Sequence, residues 1–126
     1  MLKTMARYEG HQLAFGTLDC NLLVLEATGF DVSKITPYHD LKTGRKALSS
    51  AVGFHRVSSY LKSIGYQKIN PAFVGDFDIV IYDRIHCGIY YAGYFFGLNK
   101  DNTFVYSRIS TQQLQEYEVF KWLIPQ

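Results

Sequence analysis

The residues best suited to chemistry in this chain are Cys20 and His86. Cys20 follows an aspartate at the head of an apolar run, FGTLDCNLLVLEATGF, from Phe15 to Phe30. Asp19 stands where a helix N-cap belongs, because its carboxylate can accept the unpaired N–H groups of a first turn. Cys20 is then the first helical residue. The N–H groups and dipole at that end favour an anion, so a thiol there gives up its proton more readily than an ordinary one. A thiolate so placed is a nucleophile. A small thiol packed in the core of a helix is the other reading of the same residue.

A nucleophile needs a base. Of the four histidines, His11, His39, His55 and His86, only the last lies in an extended apolar segment, IHCGIYYAG. Strand alternation places His86, Gly88 and Tyr90 on one face and Ile85, Cys87, Ile89 and Tyr91 on the other. An imidazole beside a glycine on a strand face suggests an open site with room for a ligand. A half-buried histidine satisfied by a backbone group is the alternative. Cys87 is expected to face the core and to be inert. Cysteine at a helix start with histidine on a central strand is the way papain-type hydrolases are built. The thiolate attacks, the imidazole moves the proton, the helix end stabilises the oxyanion and a third polar group orients the ring.

The elements that must position these residues change character midway. Leu22, Leu23, Leu25, Ala27 and Phe30 predict a short helix stopped by Gly29, and Pro37 blocks helix at Thr36. Leu41 to Val52 predicts a second helix, weakened by Gly44. Phe54, Val57, Leu61 and Ile64 recur at helical spacing up to Gly65. Beyond Pro71, FDIVIYD, IHCGIYYAGYFFGL and TFVYSRI read as strands, with NKDN a turn between the last two. STQQLQEY reads as a helical turn and EVFKWLI as a closing strand. Helices followed by antiparallel strands predict an α+β fold.

At 126 residues the chain is expected to be one domain, 1–126. The formal charge of +2 gives no electrostatic argument for nucleic acid. Neither a secretory leader nor an 18-residue apolar span is read, so membrane insertion is not expected and the product is expected in the cytoplasm. Two cysteines are no disulfide framework, although Cys20 and Cys87 could pair. Histidine and cysteine spacing suggests no metal site, and no cofactor is expected. Asp76 and the TGRK segment are read as turn residues.

Tyr8-x-Gly10, Gly16-x-x-Asp19-Cys20, Gly75-Asp76 and His86-Cys87-Gly88-Ile89-Tyr90 together resemble the NlpC family of cell-wall cysteine peptidases, in order and spacing, from Tyr8 to about Ser107. FGTLDCNLLVLEATGFD with its Tyr-rich, helical sequel is similar to small phage-encoded NlpC-like proteins. The resemblance implies a papain-like NlpC-type fold, with N-terminal helices packed on a C-terminal antiparallel sheet or half-barrel. It implies Cys20 as nucleophile, His86 as general base and Tyr8 near the oxyanion, with Asp19 and Gly88 contacting substrate. The strand after the histidine strand should supply the third residue, and there Tyr106 stands where the family has a histidine. Asn21 and Leu22 stand where it has Ser-Gly. The implied substrate is an amide of peptidoglycan, and the implied partners are phage tail proteins, with incorporation into a virion tail. A tail component that kept the fold and lost turnover is the alternative.

Overall fold

The computed structural model describes residues 1–123. Five helices, α1 (Leu2–Tyr8), α2 (Cys20–Ala27), α3 (Leu41–Val52), α4 (Val57–Ser63) and α5 (Thr111–Leu114), accompany six strands. These are β1 (Tyr66–Ile69), β2 (Ile79–Tyr82), β3 (His86–Tyr91), β4 (Tyr94–Leu98), β5 (Phe104–Arg108) and β6 (Glu118–Trp122). All pair antiparallel in one sheet of order β1-β6-β2-β3-β4-β5. The α+β expectation is met at this level. The last residue of the expected closing strand, Ile124, lies outside the described residues.

The sheet divides the interior by strand alternation. Ile79, Ile81, Cys87, Ile89, Phe96, Phe104 and Phe120 point to the face covered by α1, α2 and α4. Val80, Phe95 and Val119 point to the opposite face, where they meet Leu114 of α5. Leu23 and Leu25 of α2 are fully buried on the first face, each worth about 1.5–3 kcal/mol in transfer from water. This makes α2 the central helix, held directly against β3.

Local chemistry fixes the ends of these elements. Asp40 and Thr43 form a reciprocal capping box on α3, with the Thr43 N–H donating to Asp40 Oδ1 at 2.8 Å. Gly44 does not break α3, and the TGRK segment expected as a turn lies within that helix. A Cβ there would lie 2.8 Å from the Tyr38 ring, so its bare backbone admits that tyrosine against the helix. The segment read as one strand from Ile85 to Leu98 is a hairpin. Ala92 and Gly93 both adopt positive φ at its tip, the geometry of a two-residue turn matched to sheet twist. Asp76 accepts the Ala92 N–H at 2.8 Å and ties that tip down.

Among the described residues no helix is long and apolar enough to cross a membrane.

Candidate active site

Asp19 caps α2 as its position predicts. Its Oδ1 accepts the Leu22 N–H at 2.8 Å, and its Oδ2 accepts from the Gly16 N–H at 3.1 Å and from the Tyr38 hydroxyl. The carboxylate is buried. It is committed to holding the loop before α2, and this is a structural task rather than an open binding position. Tyr38 itself is wedged between Gly16 and Gly44, where a Cβ at either position would strike it. Sequence reading passed over Tyr38, because only the folded chain shows two glycines clearing a slot for one ring.

Cys20 opens α2 and is half-buried, at the wall of a groove of about 1490 Å³. Its Sγ lies 3.7 Å from the Ile85 carbonyl oxygen. Cys87, on the α2 face of β3, lies directly against it. The Cys87 thiol donates to the Cys20 carbonyl at 3.1 Å and approaches Asn21 Oδ1 at 3.7 Å. A hydrogen bond from the Cys87 thiol holds the Cys20 thiol below its usual range, against the opposing effects of burial and of the Asp19 charge. The converse holds for Cys87. The hydrogen bond to Cys20, burial and the Cys20 charge push it well above the usual range. Cys87 does face the core, but the core at that point borders Cys20.

His86 is placed otherwise. It belongs to the alternate register of β3, lies exposed at the strand's first position, and stacks on Tyr82 with ring centroids 5.0 Å apart. It lines the same groove as Cys20 but makes no hydrogen bond to it. The expected room beside Gly88 is absent. A Cβ there would meet the Phe95 ring at 2.5 Å, so that ring fills the space. Tyr106 pairs with Phe96, which pairs with Ile89, and its ring lies 4.7 Å from that of Phe96. It is therefore two strands from β3, in line with Ile89 rather than His86, and does not orient the imidazole. Tyr8 is fully buried and edge-on to Phe104, with its hydroxyl unpartnered among the described residues. It supports α1 beneath β5 and does not line the groove.

The groove's charge is lopsided. Arg45, Arg56, Arg84, Lys100 and Arg108 line it against Asp40, Asp83 and the buried Asp19. None of the five cations is in an ion pair among the described residues. No group of His, Cys, Asp and Glu among the described residues has the arrangement to hold a metal ion. The Cys20 and Asn21 N–H groups make no hydrogen bond among the described residues, so they remain open to an anion at the helix start.

Two outcomes follow from this electrostatics. Site-resolved iodoacetamide labelling should show Cys20 reacting at lower pH than an ordinary thiol, whose pKa is about 8.5. Cys87→Ala should move that profile upward, and His86→Ala should leave it in place. An unchanged profile in Cys87→Ala would remove Cys87 as the cause. The second outcome concerns the phenols. Burial raises Tyr8 and Tyr38, and it brings Tyr66 up to about 12. A raised folded value means that the folded state keeps its proton where the unfolded chain, at about 10, has lost it. Stability is therefore whole below about pH 10 and falls as pH climbs through the folded values, a trend that thermal melts at stepped alkaline pH would detect.

No protein-family model matches the chain, and no curated protein matches it significantly.

Proposed function

We propose that the chain is a cysteine hydrolase of papain-like, NlpC type, cleaving an amide in peptidoglycan stem peptides as part of a phage tail. The observation that carries this reading is Cys20: a thiol held below its usual range, at the first position of the central helix, facing a large groove. The open Cys20 and Asn21 N–H groups suit an oxyanion. Cationic walls suit stem peptides, which carry free carboxylates. His86 lines the groove at the end of β3, and in this reading it takes up the proton when substrate is seated. The phage and tail setting rests on the resemblance of FGTLDCNLLVLEATGFD and its Tyr-rich, helical sequel alone.

A second reading has its own observation. With His86 stacked on Tyr82 and Phe95 filling the space over Gly88, the chain would be a tail component that binds in the groove without turnover.

Purified muropeptides, followed for newly released amines, separate the two. Hydrolysis predicts turnover that falls about a thousandfold or more in Cys20→Ala and in His86→Ala. An inactive wild type that still binds muropeptides supports the second reading. Turnover indifferent to Cys20→Ala overturns the first.

A further inference from the structure

Two cysteines separated by 66 residues of chain meet at the groove wall, and hydrolysis uses only one of them. Cys20 is reachable from solvent and Cys87 is buried behind it. Cys87 can therefore be reached by whatever is bound to Cys20 and by little else. The groove in front of the pair carries five cations without ion-pair partners among the described residues.

We propose that Cys20 and Cys87 are a redox-active dithiol that reduces small carboxylate-bearing disulfides and closes to a Cys20–Cys87 disulfide. The Cys20 thiolate attacks one sulfur of the bound disulfide. The disulfide's S–S bond breaks, one thiolate leaves and takes a proton from solvent, and a mixed disulfide remains on Cys20. Cys87 then gives its proton to solvent, attacks Cys20 Sγ, and expels the second thiolate, which is protonated in turn. The small disulfide is reduced to two thiols, and the two protein thiols are oxidised to one disulfide.

The order of attack follows from the surroundings. Cys20 is the less buried, more acidic thiol and so attacks first. The Cys20 negative charge is among the causes that hold Cys87 protonated. Capping Cys20 as a neutral mixed disulfide removes that charge and frees Cys87 for the second step. This activity is independent of amide hydrolysis. The two share Cys20, so closing the disulfide would also silence any hydrolysis.

Oxidised glutathione, a carboxylate-bearing disulfide, is the probe, with hydroxyethyl disulfide as its uncharged counterpart. The fully reduced protein is treated with each and read by intact mass and unreduced peptide mapping. The expected wild-type product has lost two hydrogens and yields a linked Cys20–Cys87 peptide pair. Cys87→Ser should stop at a glutathione adduct on Cys20, and Cys20→Ser should stay unmodified. A wild-type protein that ends as a stable adduct, or does not react, overturns the dithiol. Equal rates with the charged and uncharged disulfides at low salt overturn the assigned ligand class. Should Cys87→Ser fail to fold, the wild-type peptide map decides alone. The muropeptide assay is run on reduced protein, so failure of hydrolysis and failure of disulfide exchange are read separately.

Discussion

Gly88→Ala should be among the most damaging single substitutions in the sheet, lowering stability by about 3 kcal/mol or more. Gly88 is buried in β3 opposite Val80 of β2. An added Cβ would overlap the Phe96 carbonyl oxygen and lie 2.5–2.6 Å from the Phe95 ring. The same ring also crosses Gly97, where a Cβ would meet it at 2.6 Å. Phe95 therefore lies across two bare backbone positions, and a Cβ at either one strikes its ring. The carbonyl overlap is backbone against side chain, so rotating the ring cannot relieve all of it. Urea denaturation should show a lower midpoint with little change in slope. Phe95→Leu in the same chain should recover part of the loss, and full recovery would mean that the carbonyl contact is unimportant. The shift should also reach the adjacent Cys87, so Cys20 should lose its early labelling in Gly88→Ala. A variant as stable as wild type would show that β3 and β4 do not approach as closely as described.

The glycine at position 88 also shows where sequence reading stops. A histidine–x–glycine pattern on a strand suggests space, and alternation places the two faces of β3 as the structure has them. Alternation alone does not say which face meets the helix carrying Cys20. That depends on long-range pairing, and the apolar residues Ile79, Ile81, Ile89 and Phe96 decide it by burying the Cys87 side against α2. Gly88 is bare because an aromatic from the next strand occupies the place a ligand was expected to take. Composition cannot distinguish these two uses of a glycine.

Features governed by neighbouring residues were readable. Asp19 and Cys20 head α2 as their types require, α3 spans Leu41–Val52 as expected, and Asn99–Asn102 turns between β4 and β5. Features set by tertiary contact were not. The helix α1 has no side-chain cap and few residues. Its stability comes from burying Met5 and Tyr8 beneath α2 and Phe104, in line with short helices owing their stability to packing. The edge strand β1 alternates weakly and is held by β6. The Ala92–Gly93 turn is hard to read between Tyr91 and Tyr94, because alanine at positive φ carries no sequence signal.

Asp19→Ala should lower stability by about 2–4 kcal/mol, since it deletes a cap, a loop contact and the acceptor of a tyrosine hydroxyl at once. Asp19→Asn should lose less. Its remaining oxygen can keep the Leu22 cap, but its amide nitrogen is a donor and can accept from neither the Gly16 N–H nor the Tyr38 hydroxyl. The two substitutions separate holding the site from tuning it. The Asp19 carboxylate opposes ionisation of Cys20, so removing its charge while keeping the cap should shift Cys20 labelling to lower pH. Alanine removes the same charge but also loosens the helix start that keeps Cys20 against Cys87, and that loss pushes the profile upward. Thermal melts and pH-resolved labelling of both variants give the test. If asparagine and alanine shifted the thiol equally, Asp19 would act on Cys20 through its charge alone. If neither shifted it, the cap would hold the fold and leave the acidity of Cys20 to Cys87.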